Sequence, residues 1–302
     1  MTSPDNGPWD DHALERLLDA ALEEDVGQGD ITSRAVLPAK RQAVCKIRAK
    51  SELIVAGLPL VPRLYSRLGV VEVKQLVADG AAVQPGTVLV VAKGDARALL
   101  TGERTVLNLL QHLSGIATLT RRCVDALEGS HCVVRDTRKT MPGLRILEKY
   151  AVRLGGGTNH RLRLDDGVLI KDNHVDLVGG VGPAVRAARR ALPTHEIEVE
   201  CRTIEEVNEA LETGADVILL DNMASEQLAR AVATIAGRAR VEASGGITPE
   251  RVREIADLGV DYIAMGCLTH SAPAADLSMD VAWDESGSPS APGDLGARGR
   301  LS

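Results

Sequence analysis

The chain has 302 residues, 44% of them hydrophobic and 25% charged, the balance of an ordinary globular protein of one large domain or two. A net charge of −7 speaks against a generally basic surface for polyanions, and the scarcity of aromatics, with no Phe, two Trp and three Tyr, against a stacked-base platform for nucleic acid. The five cysteines are widely spaced with no CxxC pair for zinc or redox work, and no signal-type or membrane-length apolar run occurs, so a cytoplasmic protein with buried free thiols is expected.

In chain order, Leu14, Leu17, Leu18, Ala21 and Leu22 recur at helical spacing after Asp10 and Asp11, which predicts an amphipathic helix over 11–24. Glu23 to Ser33 reads as a Gly- and Asp-rich loop. Ala43, Cys45, Ile47 and Ala49 alternate with Val44, Lys46, Arg48 and Lys50, the period of a half-exposed strand. Val70–Val77 and Thr87–Ala92 read as further strands separated by the turns Asp79-Gly80 and Pro85-Gly86, giving a small antiparallel α+β unit. A long helix follows, with Asp95 as its N-cap and Gly102, Glu103 and Arg104 inside it. By itself Arg104 reads as a solvated helix charge.

From residue 132 short apolar runs alternate with helical segments. Candidate strands are 132–136, 168–172, 196–200, 216–221, 240–244 and 261–266, and most pairs are separated by helices rich in Ala and Arg. This pattern predicts a parallel sheet covered on its outer face, and its repetition an incomplete α/β barrel of about six strands. Domain bounds follow at 1–112 for an N-terminal open sandwich, with 268–284 packing back on it, and 113–267 for the barrel. The Gly-, Ser- and Pro-rich tail, 285–302, is expected to be disordered.

The stretch Arg135–His174 carries nine basic residues against five acidic ones, a reversal of sign that points to a small anionic ligand. Successive strands end at Arg138-Lys139, Lys171, Glu200, Asp221, Ser244-Gly245-Gly246 and Gly266, which brings charges and bare backbone to one rim, the C-terminal rim where barrels bind substrates. Arg138, His160, Arg161 and Lys171 suit planar carboxylates, and the three glycines before Thr158 suggest close backbone approach to a ligand. Glu200 and Asp221 suit sugar hydroxyls, a divalent metal or developing positive charge, with a salt bridge to Lys139 or Lys171 as the structural alternative. Ser244-Gly245-Gly246, leading to Thr248 as N-cap and Pro249 at the first helical position, suits phosphate, with Met265-Gly266 completing that pocket. Together these describe glycosyl transfer from a sugar phosphate to an aromatic acid.

Asp136-Thr-Arg-Lys, Gly155-Gly-Gly-Thr-Asn-His-Arg, Leu169-Ile-Lys-Asp-Asn-His, Glu198-Val-Glu, Leu220-Asp-Asn-Met, Glu242-Ala-Ser-Gly-Gly-Ile and Leu268-Thr-His-Ser closely resemble the quinolinate phosphoribosyltransferase family over roughly residues 11 to 282. The resemblance implies a homodimer, or a multiple of dimers, converting quinolinate and phosphoribosyl pyrophosphate to nicotinate mononucleotide, pyrophosphate and CO2 in de novo NAD biosynthesis. Magnesium is implied as cofactor, held mainly by substrate near Glu200 and Asp221. On matching positions Arg138, His160, Arg161 and Lys171 are implied to hold the quinolinate carboxylates, with Arg104 reaching in from the partner subunit. Lys139 is implied to lie near the pyrophosphate, Glu200 and Asp221 at the ribose, and Ser244, Gly245, Gly246, Gly266 and His270 at the 5′-phosphate. Glu200, Asp221, Lys139 and Lys171 form the implied catalytic set, and Met141 stands where the family usually has Thr. The rival readings are a paralogous phosphoribosyltransferase with another acceptor, a Schiff-base lyase using Lys171 or Lys139, and a non-catalytic anion-binding protein.

Overall fold

A computed structural model of the chain describes residues 7–70 and 72–285. The tail expected to be disordered lies, beyond Glu285, outside the described residues. Helix α1 (His12–Val26) starts where the Asp11 carboxylate accepts the Ala13 amide, and it buries Leu14, Leu18 and Leu22. The loop expected over 23–33 is shorter than that reading, because α1 runs on to Val26 and Asp30 caps a second helix, α2 (Ile31–Val36), through the Ser33 amide. Then come β1 (Gln42–Ala49), β2 (Leu53–Ile54), α3 (Leu60–Arg67), β3 (Glu72–Gln75), β4 (Ala82–Val83) and β5 (Val88–Asp95).

Along β1 the predicted alternation holds, with Ala43, Cys45, Ile47 and Ala49 buried. It lies between β5 and β12 (Leu277–Trp283) in an antiparallel sheet of order β12-β1-β5-β3, so the last described strand returns to the first unit. Helix α4 (Ala96–Asp125) begins at Asp95, whose carboxylate accepts the Arg97 and Ala98 amides, and its 30 residues run from this sheet into the second unit. Gly102 sits where α4 meets α3: a Cβ there would stand 2.8 Å from both Leu68 and Tyr65 side chains. Close helix packing, bought with a helix-interior glycine, explains that residue.

The second unit contains β6 (Val133–Arg135), α5 (Arg145–Leu154), β7 (Val168–Ile170), α6 (Asp172–Val178), α7 (Val181–Ala191) and β8 (Ile197–Cys201). It continues with α8 (Ile204–Glu212), β9 (Val217–Asp221), α9 (Ser225–Ile235), β10 (Arg240–Ser244), α10 (Val252–Ala256), β11 (Tyr262–Ala264) and α11 (Cys267–His270). The six strands form one parallel sheet of order β6-β11-β10-β9-β8-β7, the expected six-stranded arrangement. Strands β6 and β7 are its two ends; between them Thr158 forms a lone parallel bridge to Arg135, so the 155–160 loop acts as a rudimentary strand beside β6. Strands β8 and β9 are almost wholly buried; β9 is apolar up to Asp221, as a strand covered by helices on its outer face requires, while β8 alternates apolar residues with the buried Glu198 and Glu200.

Candidate active site

Because all six strands are parallel, their C-terminal ends converge on one rim, and a cavity of about 460 Å³ opens there. That size is typical of small-molecule sites. Among the predicted residues, Arg138, Lys139, His160, Arg161, Lys171, Glu200, Asp221, Ser244, Gly245 and Gly246 all line it. Gly266 and His270 stand at its edge beside Lys139: a Cβ on Gly266 would meet Lys139 Cδ at 2.9 Å and His270 Nε2 at 3.1 Å. Arg104 is exposed on α4 and does not line this cavity.

On the cationic side, Arg161 is tethered by Nη1 to the Gly167 carbonyl at 3.0 Å. The Nε–H groups of Arg138 and Arg161 are buried and make no hydrogen bond among the described residues. The two guanidiniums line one cavity together with Lys171, and this concentration of positive charge suits an anionic acceptor. Lys171 follows β7 directly; its amide is held by His174 Nδ1 at 2.9 Å, and its ammonium lies 3.2 Å from Glu200 Oε2. Of the two salt bridges anticipated for Glu200, this is the one formed. Burial raises the Glu200 carboxyl above its ordinary value, Lys171 opposes this, and nearby Asp221 adds repulsion. Asp221 Oδ2 in turn accepts from the side-chain Nδ2 of Asn222 at 2.5 Å.

Gly245 and Gly246 adopt φ of +97° and +59°, which aligns the backbone after β10 as glycine alone readily permits. A Cβ on Gly245 would fall 2.7 Å from the Asn222 backbone nitrogen, so the glycine is also needed for the approach of the two rim loops. Pro249 opens the following turn as expected, whereas the Thr248 side chain makes no capping bond, and the turn is 3₁₀ over Pro249–Arg251.

The triple glycine does something other than approach a ligand. Added Cβ atoms would stand 2.5 Å from the Ala117 carbonyl at Gly155 and 2.8 Å from Thr120 at Gly157, so this backbone is pressed against α4. Its packing delivers Asn159, His160 and Arg161 to the gap between β6 and β7.

Several residues that hold the site were not singled out from the sequence. Asp136, fully buried, pairs with Lys149 and also accepts from Asn159 Nδ2 at 2.5 Å and the His160 amide at 2.9 Å. Glu148, equally buried, lies 2.8 Å from His112 Nε2 and accepts the amide of Met141, whose side chain is exposed. Glu198 and Glu242 flank His160. For Glu198 and Glu242 the available signal was an acidic residue inside a strand with buried apolar neighbours, where an unpartnered charge is too costly to be incidental.

Among the described residues, one group of three side chains has the chemistry of metal ligands: His160, Glu198 and Glu242, with atoms within 4.8 Å of one another. Arg135 already pairs with Glu242 at 2.8 Å and His160 with Glu198 at 3.0 Å, so this set does not suit a hard cation. Glu200 and Asp221 are likewise engaged, by Lys171 and Asn222. No cage for a divalent ion is preformed among these residues.

Comparison with known proteins gives the same picture. Family models described as quinolinate phosphoribosyl transferase match as the N-terminal domain over residues 30–114 and as the C-terminal domain over 116–280. The nicotinate-nucleotide pyrophosphorylase (carboxylating) of Mycobacterium leprae is 44% identical over 276 residues, covering 89% of this chain and 97% of that one. Among solved structures, NadC from Streptococcus pyogenes superposes with a TM-score of 0.86 at 40% identity, covering 93% of this chain and 99% of that one. Nicotinate-nucleotide pyrophosphorylase from Ehrlichia chaffeensis does so with 0.85 at 39% identity, covering 88% and 98%.

Proposed function

Because the chain belongs to the quinolinate phosphoribosyltransferase family, we propose that its rim cavity joins quinolinate to phosphoribosyl pyrophosphate, yielding nicotinate mononucleotide, pyrophosphate and CO2 in NAD biosynthesis. The observation that carries this reading is the gathering of Arg138, Arg161 and Lys171 with a carboxylate pair and a Gly-Gly loop in one cavity. Two guanidiniums and Lys171 match an acceptor with two carboxylates. Ser244, Gly245, Gly246, Gly266 and His270 take the donor's 5′-phosphate, and Lys139 faces its pyrophosphate.

In the reaction the pyridine nitrogen attacks C1 of the ribose while pyrophosphate leaves. Positive charge grows on the sugar, and Glu200 and Asp221, already fixed by Lys171 and Asn222, stabilise it without having to reorganise. The N-ribosylated ring is cationic, and this stabilises the electron pair left on the ring carbon when the adjacent carboxylate departs as CO2, after which that carbon takes a proton from solvent. Magnesium, held by the pyrophosphate, would supply neutralising charge to the leaving group, since no preformed cage for it occurs among the described residues of the rim cavity.

The working unit is a homodimer in the cytoplasm, with Arg104 completing the neighbouring site; its exposure on α4 leaves it available for that role. A Schiff-base role for Lys171 is disfavoured, because its side chain is 48% exposed and paired with Glu200, whereas such chemistry calls for a desolvated amine. Incubation with quinolinate, phosphoribosyl pyrophosphate and magnesium is expected to release nicotinate mononucleotide and CO2 together. Failure to consume quinolinate while nicotinate is accepted would move the reading to a paralogous transferase.

A further inference from the structure

Both nitrogens of His160 are turned into the protein. Nε2 lies 3.0 Å from Glu198 Oε2 and 3.6 Å from Glu242 Oε1, and Nδ1 accepts the backbone N–H of Arg161 at 2.7 Å. A backbone amide can only donate, so Nδ1 carries no proton in this arrangement, and the ring is the neutral tautomer whose Nε2–H donates to Glu198. Behind it, Arg135 pairs with Glu242 at 2.8 Å and stacks 3.3 Å from the centroid of the Tyr262 ring. A continuous set of contacts thus runs from β11 and β6 through β10 and β8 to the amide of Arg161, whose guanidinium lines the cavity.

We propose that His160 is a positioning residue: with Glu198 and Glu242 it clamps the Arg161 amide, and protonation of Nδ1 releases the clamp. This deepens the reading above and rests on it for the identity of the anion that Arg161 holds. A proton on Nδ1 turns an acceptor into a donor facing another donor, so the bond breaks and the Arg161 backbone loses its anchor.

The proton has its own route. A second cavity, of about 740 Å³, shares His160 and Arg161 as a wall with the first and is lined there by Arg135, Lys149 and Glu198. It lies toward the starts of β7 and β8, with Val168 and Glu196 in its lining, so the imidazole can be reached while the rim cavity is filled. The charges around the ring set when release occurs. Burial works against the imidazolium, but the Glu198 hydrogen bond and the charges of Glu198 and Glu242 outweigh it despite Arg135, raising His160 above its ordinary value. Asp136 and Lys149 hold the His160 backbone N–H and C=O, and Arg138 adds positive charge beside Arg161. Against these carboxylates stands the Arg161 amide bond itself, which holds the neutral ring until Nδ1 takes the proton.

The test is the pH dependence of quinolinate turnover in the wild type, Glu198→Gln and Glu242→Gln. In the wild type KM for quinolinate is expected to rise as pH falls, by up to about tenfold per pH unit for one proton, while kcat moves less. Glu198→Gln removes the charge that most favours the imidazolium, so its acid limb is expected to move to lower pH, whereas Glu242→Gln, at a carboxyl already pushed up to about 7 and so largely uncharged on that limb, is expected to move it little. A merely structural Glu198 would weaken binding without moving the limb; an unmoved limb in a folded Glu198→Gln variant overturns the proposal. Should Glu198→Gln not fold, nitrogen-15 NMR of the wild-type imidazole at alkaline pH without substrate decides, because an Nδ1–H tautomer there also overturns it. That spectrum needs no turnover, so absence of nicotinate mononucleotide formation would defeat the transferase reading separately.

Discussion

Replacing Asp136 with Asn tests whether the loop carrying Asn159, His160 and Arg161 is held by charge or merely by shape. The Asp136 carboxylate is fully buried, its partner Lys149 is 2% exposed, and Lys149 also donates to the His160 carbonyl at 2.9 Å. Asparagine fills nearly the same volume but leaves the ammonium without a counter-charge. Removing one partner of a buried ion pair costs about 3–5 kcal/mol, because the remaining charge is stranded away from water. For a protein of this size each kcal/mol lowers the melting temperature by roughly 2–4 °C, so the expected loss is about 6–20 °C. Burial already lowers the Lys149 pKa, so the amine can escape by shedding its proton, which favours the lower end. Thermal unfolding followed by circular dichroism measures this directly. Combining Asp136→Asn with Lys149→Met should recover stability relative to the sum of the single losses, since no charge is then stranded. An Asp136→Asn protein melting within about 2 °C of the wild type would refute the argument and leave the loop held by its glycine packing against α4.

Arg161→Ala should lose a charge-assisted hydrogen bond of about 1.5–3 kcal/mol, weakening quinolinate roughly 10- to 150-fold in a calorimetric titration, while affinity for phosphoribosyl pyrophosphate stays near the wild-type value. Gly245→Ala combines a φ of +97° with a clash against the Asn222 backbone, so the KM for phosphoribosyl pyrophosphate is expected to rise more than that for quinolinate. Burial and the neighbouring Glu198 charge push the Glu242 carboxyl up to about 7, against the pull of His160 and Arg135. A raised pKa contributes stability that is complete below the unfolded value of 4.5 and lost as pH rises through about 7. Glu242→Gln should therefore flatten the pH dependence of the melting temperature across that window, and parallel curves for the two proteins would contradict the assignment. Mixing inactive Arg104→Ala and Arg161→Ala proteins after unfolding and refolding should restore about a quarter of wild-type activity, because random pairing gives half heterodimers, each with one intact site. No recovery would count against a shared site.

Much of this protein is readable along the chain because its determinants are local. The period-two alternation of β1, the Asp95 cap of α4 and the apolar runs of the parallel strands each state their own structure. Strand ends carrying Arg138, Lys171, Glu200, Asp221 and Ser244 are likewise legible, since parallel strands must present their C-terminal ends together, and the cavity does gather them. Spacing cannot say where a side chain's second bond goes. The triple glycine reads as a ligand loop until the fold presses it on α4; spacing brings His160 to the cavity but does not show its bonds to Glu198 and the Arg161 amide. Sequence by itself therefore determined the element types, the rim and the charges on it, because these follow from periodicity and strand direction. Tertiary structure alone decided which charges are paired, buried or left with unpartnered donors, because each depends on contacts between segments tens of residues apart, brought together only when the sheet and its helices close around them.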